Sequence, residues 1–239
     1  IHYGTDALII IAPGNEFSKP MCLKILNKEY PPDDVIKELE NEFDFCQSAG
    51  SDIIRKALKK TMVENHQAIV LEYIDGSDLK KSLPGRQKTF ADKLQLATDI
   101  ATAISAIHRE NIIHKQISPS NIIIENGTNK IYLIDFSLAT RLNSMDAEMN
   151  TGQPNNTEAL NYISPEQTGR INRIVDNRSD LYSLGAVLYQ LFTGSTPFES
   201  KDPLELIYAH IAKTPVNPTA LINGLPKIIA DIVMKLLAK

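Results

Sequence analysis

The sequence predicts a bilobal α+β fold: a strand-rich first third, a helix-rich remainder and a cleft between them. Three observations carry this. Short apolar and β-branched runs fill residues 7–73 around one helical pattern, helical periodicity dominates after residue 90, and no repeat or low-complexity stretch intervenes. The 239 residues suit one large domain or two small lobes with ample core. The boundary falls near residue 74, giving parts 1–74 and 75–239.

ALIIIA (7–12) and KPMCLKIL (19–26) read as strands joined by the hairpin-like PGNEFS. After Pro31 and Pro32, DDVIKELENEFDFCQ places Val35, Ile36, Leu39, Phe43 and Phe45 at helical spacing, with Asp33 and Asp34 as cap candidates. IRKALKKTMV (54–63) and AIVLEY (68–73) supply two more strands. ADKLQLATDIATAISAIHRE (91–110) carries an apolar stripe wide enough for a core helix. NIIIENGTNKIYLID (121–135) is a hairpin turned at Asn126-Gly127. Residues 141–158 are polar and irregular, the composition of a mobile surface loop. Helical patterns follow in SDLYSLGAVLYQLFTG, DPLELIYAHIAK and LPKIIADIVMKLLAK.

Composition excludes several classes. A net charge of −4 and a pI near 5.8 offer no basic face for nucleic acid. Cys22 and Cys46 cannot build a disulfide framework or a CxxC zinc site, which suits a reducing cytoplasm with both thiols packed as small hydrophobes. The longest apolar run is strand length, too short for a membrane span. Ile1 is not a natural start, so the chain is expected to be part of a longer protein.

The motifs acquire meaning by order and spacing. MCLK (21–24), AIVLEY (68–73), HKQISPSN (114–121), DFS (135–137), ISPEQ (163–167) and SDLYSLG (179–185) succeed one another in a pattern that resembles the serine/threonine type of protein kinase domain over nearly the whole chain. The resemblance implies Mg²⁺–ATP (or Mn²⁺–ATP) as cofactor and protein hydroxyls as substrate. The stretch YISPEQTGRINR…DNRSDLYSLG, with LFTGSTPF and KLLAK, resembles the N-terminal kinase-like domain of hybrid signalling proteins. Their AAA ATPase, GAF and histidine kinase modules would be partners within one polypeptide.

Residue by residue, the resemblance implies the following roles. HYGTDALI (2–9) occupies the place of the glycine-rich phosphate loop with only Gly4 retained. Ala7 still permits close backbone approach, His2 is bulkier, and Ile9 follows on the strand. Lys24 would hold the phosphates, and Cys22 would line the adenine slot where the family carries alanine. Glu42 is the expected partner of Lys24, with Glu38, one turn earlier, as the alternative. Leu71 would close the back of the pocket, and the backbone of Glu72 to Ile74 would meet the base. Asn121 and Asp135 would be the metal ligands, a hard oxygen pair. His114 reads as structural. Glu166 would be the carboxylate of the APE-like motif, paired in the family with an arginine that would lie beyond Lys239. Asp180 would bond back to the catalytic-loop backbone or cap its helix. Ser144, Thr151 and Thr157 are candidate phosphosites or ordinary loop composition. Lys115 replaces the usual arginine and offers a phosphate a point charge.

Departures from the family fall on the chemistry. Gln116 stands where the family has its catalytic aspartate, and an amide cannot accept a proton as a carboxylate does. Ser118 replaces a lysine that neutralises the transferring group. Ser137 replaces the pivoting glycine of DFG. These departures predict a nucleotide-binding signalling module with weakened or lost phosphotransfer, a pseudokinase. The alternative is an active serine/threonine kinase; a small-molecule phosphotransferase is disfavoured by the long 138–163 segment.

Overall fold

The computed structural model describes residues 2–3, 6–13, 19–83, 88–142 and 158–239. Gly4, the side chain of His2, and the candidate phosphosites Ser144, Thr151 and Thr157 lie outside the described residues.

The first part is an antiparallel sheet over which a helix packs. β1 (His2–Tyr3), β2 (Ala7–Ala12), β3 (Met21–Leu26), β4 (Ala57–Val63) and β5 (His66–Glu72) pair in the order β1-β2-β3-β5-β4. The register sets Ile9 opposite Lys24 and Cys22 opposite Leu71. It follows from alternation: β4 reads buried, exposed, intermediate and onward in a near period of two, as a half-covered strand should. Helix α1 (Asp33–Ser48) buries Leu39, Glu42, Phe43, Phe45 and Cys46 against the sheet. Its N-cap is Pro32, without a side-chain cap; Asp33 and Asp34 sit in the first turn, where negative charge suits the helix dipole.

Helices build the second part. A short strand β6 (Gly76–Asp78) and a single helical turn α2 (Leu79–Ser82) lead into α3 (Phe90–Arg109). Thr89 and Asp92 cap α3 reciprocally, which satisfies two orphan backbone donors. β7 (Ile112–Ile113) pairs with β10 (Thr140–Arg141), while β8 (Ile122–Glu125) and β9 (Ile131–Leu133) form the expected hairpin, with β6 as a third strand. Gly127 in the turn has φ +82°, a conformation that favours glycine. A bridge from Ile54 to Leu133 ties this hairpin to the first part.

Four further helices follow: α4 (Asn177–Thr193), α5 (Pro203–Ala212), α6 (Pro218–Leu221) and α7 (Lys227–Leu236). α4 is buried nearly all round, as the central helix of its part must be. Gly185 lets α7 approach it; a Cβ there would stand 2.8 Å from the Leu236 Cβ. The fold class expected from the sequence is what the structure shows: a β-rich first part and a helical second part of one α+β chain.

One buried group gives the helical part a pH response. His210 on α5 is fully buried, its Nδ1 2.9 Å from the Tyr182 hydroxyl. Burial first, and the Lys239 charge second, push its pKa down to about 4. Unfolding therefore takes up a proton between the free value near 6.5 and about 4, so stability falls as pH drops through that window. The loss is on the order of 3 kcal/mol by pH 4. Urea titrations at pH 7 and pH 4.5 check this, and His210→Gln should flatten the profile.

Candidate active site

Glu42 is the centre of the site. Its carboxylate is fully buried, and it accepts from Lys24 Nζ at 2.5 Å on one oxygen and from Arg55 at 3.3 Å on the other. Lys24 comes from β3, Glu42 from α1 and Arg55 from the chain entering β4, so one carboxylate ties three elements. Of the two glutamates considered for Lys24, the geometry selects Glu42. Glu38 lies outside the pair, and burial, with Asp135 next, raises its pKa.

Lys24 also reaches Asp135 Oδ1 at 3.2 Å. Burial opposes the lysine's charge, yet the Asp135 and Glu42 carboxylates overcome that and raise its pKa. Burial likewise works against an ionised Asp135, but Lys24 and a hydrogen bond from Ser137 prevail and hold its pKa down at about 2. At neutral pH both groups are charged. Asp135 has φ +64°, a left-handed conformation uncommon for a residue with a side chain.

The loop 114–121 is built on Asp180. This fully buried carboxylate accepts the backbone N–H groups of His114 and Lys115, each at 2.8 Å, and contacts His108 Nε2 at 2.9 Å. The helix N-cap role falls to Asp176 instead, whose side chain accepts from the Arg178 N–H. Those bonds hold Lys115 at φ +66°. Burial lowers the Lys115 pKa to about 8 against the pull of Asp180. His114 is buried beneath the loop, its ring 4.5 Å from that of Phe136 and its Nε2 3.1 Å from the Ile134 carbonyl. Burial drives its pKa down, consistent with a neutral ring whose Nδ1 accepts the Gln116 N–H.

Gln116 sits between two neighbours. Its Oε1 lies 3.3 Å from the Ser137 hydroxyl, whose one proton is shared between that oxygen and Asp135, and its backbone carbonyl accepts the Asn121 amide at 2.9 Å. Because Asn121 spends its nitrogen on that bond, its Oδ1 is the atom left to face a cation. Ser118 is buried just ahead of the 3₁₀ turn Pro119–Asn121. Glu166 accepts the Ser179 hydroxyl at 2.5 Å.

Around the cleft, Ala7 and Ile9 are half-buried on β2, while Cys22, Leu71 and Ile74 are buried. The Glu72 N–H donates to the Lys56 carbonyl at 2.9 Å, so it is already used within the protein. Cys22 is a free thiol that burial makes less acidic, and Arg55 stands 3.8 Å from its sulfur. A cavity of about 400 Å³ lies elsewhere, between α1 and β4–β5, lined by Leu39, Met62 and Ile69.

Hard oxygen donors at Asp135 and Asn121 fit a divalent cation such as Mg²⁺. Among the described residues no group of three His, Cys, Asp or Glu side chains is placed to hold a metal alone. Such an ion would need phosphate oxygens to complete its shell. Sequence reasoning did not single out Arg55 or the contact between Gln116 and Ser137. An arginine at a strand entry belongs to no motif, and the glutamine and serine stand 21 positions apart.

Residues 4–238 match a family model described as the protein kinase domain. The chain is 35% identical over 173 residues to serine/threonine-protein kinase PknB of Mycobacterium tuberculosis, a match covering 72% of this chain and 27% of that protein. The PknB of Mycobacterium leprae is 33% identical over 177 residues, with the same coverage of each. A protein named "Probable serine/threonine-protein kinase" from Clostridium perfringens is 27% identical across 99% of this chain, which corresponds to 34% of its own length. The chain thus spans about a quarter to a third of the curated relatives it matches. Among the described residues no helix is long and apolar enough to cross a membrane.

The shared carboxylate makes a quantitative prediction. Arg55→Met is expected to lower the unfolding free energy by about 3 kcal/mol, because it leaves a buried carboxylate half-paired. Combining it with Glu42→Gln should cost less than the sum of the single changes, and a urea double-mutant cycle checks this.

Proposed function

The chain belongs to the protein kinase domain family, and from that premise we propose that its cleft binds Mg²⁺–ATP while phosphotransfer is weakened or lost. The domain then works as a regulatory, sensory module.

Gln116 carries this reading. It stands where the resemblance expects the proton acceptor, and its amide oxygen lies 3.3 Å from the Ser137 hydroxyl. An amide oxygen can accept a hydrogen bond and so orient a hydroxyl, but it is not basic enough to take the proton as a carboxylate does. A substrate hydroxyl needs a proton acceptor there, and a positioned base contributes about 10²–10⁴-fold to such steps. Ser118, in place of a lysine, brings no positive charge to a transferring phosphoryl group.

Binding rests on different residues. Lys24 would hold phosphate oxygens while Arg55 keeps Glu42 paired. Asp135 and the Asn121 oxygen would hold the cation, which would neutralise phosphate charge. Ala7, Ile9, Cys22, Leu71 and Ile74 supply an apolar slot for a base, and Gly4 belongs to the same binding set. His114, Glu166 and Asp180 act as scaffold. The resemblance to hybrid signalling proteins supplies the partners: AAA ATPase, GAF and histidine kinase modules of one cytoplasmic polypeptide.

A second reading, an active kinase transferring the ATP γ-phosphoryl group to protein hydroxyls, is favoured by the complete Lys24, Glu42 and Asp135 network and by the names of the relatives.

Thermal shift with ATP and Mg²⁺, paired with a transfer assay, separates the two. The wild type should be stabilised by ATP–Mg²⁺ and transfer little, Gln116→Asp should raise transfer about 10²-fold or more, and Lys24→Ala should abolish the shift. Robust wild-type transfer unchanged by Gln116→Ala favours the second reading.

A further inference from the structure

We propose that Asn41 is a positioning residue for Asp135: its side-chain amide, carried by α1, holds the turn that fixes the aspartate's backbone. The Asn41 Nδ2 lies 3.2 Å from the Phe136 carbonyl, 2.8 Å from that of Ser137 and 2.9 Å from that of Ala139. One NH₂ group has two protons, so it is shared among three acceptors and fully used. The Ala139 N–H closes the same turn onto the Phe136 carbonyl at 3.1 Å. Phe136, Ser137 and Ala139 are all buried, so water is a poor substitute donor.

The turn follows directly on Asp135, whose left-handed backbone is unfavourable by roughly 1–2 kcal/mol for a residue with a Cβ. Such a conformation persists only where the surroundings over-determine it. Lys24 fixes the Asp135 carboxylate from one side, and Asn41 fixes the chain that leaves it.

Position on the helix explains how one element does both. Consecutive helical residues point about 100° apart. Glu42 therefore reaches Lys24 and Arg55 while Asn41 reaches 136–139. The bonds close a circuit from α1 through Glu42, Lys24, Asp135 and the turn back to Asn41. Displacing α1 breaks the circuit at two places at once. A purely structural asparagine would stabilise the fold without acting on Asp135 in particular.

The functional consequence, though not the geometry, rests on the reading of the cleft as a Mg²⁺–ATP site. Asn41→Asp keeps the shape but turns a carboxylate toward three carbonyls, and Asn41→Ala removes the donor without adding charge. Two measurements on both variants decide the matter. The first is amide hydrogen exchange without nucleotide: exchange across 136–140 should quicken about tenfold, the loss of one good hydrogen bond or more, while α4 stays protected. The second is ATP affinity with Mg²⁺ and with EDTA: the gain conferred by Mg²⁺ should shrink about tenfold, with the EDTA affinity little changed. Unchanged exchange at 136–140, a uniform rise along the chain, or an equal loss of affinity with and without Mg²⁺ overturns the assignment. If the wild type shows no Mg²⁺-dependent ATP binding, the proposed function fails, and the exchange pattern alone upholds or overturns the role of Asn41.

Discussion

The buried Glu42 carboxylate is the constraint on which the rest of the site depends. A charge with no solvent access must be paired on both oxygens, and here two cations from different elements do so. That requirement fixes α1 against β3 and against the entry to β4. It also aims Lys24 toward Asp135, because the lysine serves both carboxylates. Lys24, Arg55, Glu42 and Asp135 together carry no net charge, which suits burial in a cleft before any ligand arrives. Arg55 gives Glu42 a second cation besides Lys24.

The second organising carboxylate, Asp180, does for the loop 114–121 what Glu42 does for the sheet. It anchors two successive backbone N–H groups and a histidine, and so presets the path of the chain up to Gln116. The two anchors meet at 135–139. Lys24 and Asn41 hold that segment from the first part, and Gln116 touches it from the second through Ser137. Two departures from the family, at 116 and 137, are thus neighbours in space. The Gln116 amide oxygen lies 3.3 Å from the hydroxyl that Ser137 adds.

Much of this was legible in the sequence, because periodicity and turn chemistry are local. The strand pair at 7–26, the helix after Pro32, the Asn126-Gly127 hairpin and the helices from 179 onward follow from patterns a few residues long. Short elements escaped: β6, with three residues, and α6, with four, are too brief to show a period. Of the two roles open to Asp180, loop anchor and helix cap, only the folded backbone decides, because it shows Asp176 standing at the N-cap of α4. Motif order pointed to Lys24, Asp135 and Asp180, and helix phase to Glu42 ahead of Glu38. It could not find Arg55 or Asn41, whose roles come from the distance between elements that only tertiary packing brings together.

We propose that this cleft holds ATP without transferring its phosphoryl group efficiently. A single-turnover experiment tests it most directly: mix excess protein with γ-labelled ATP and Mg²⁺, quench over seconds to minutes, and follow the label. The account predicts that label stays on intact, protein-bound ATP for many times the turnover period of an ordinary kinase, about 0.01–1 s. Rapid appearance of ADP with label on a protein hydroxyl, at such ordinary rates, would contradict it.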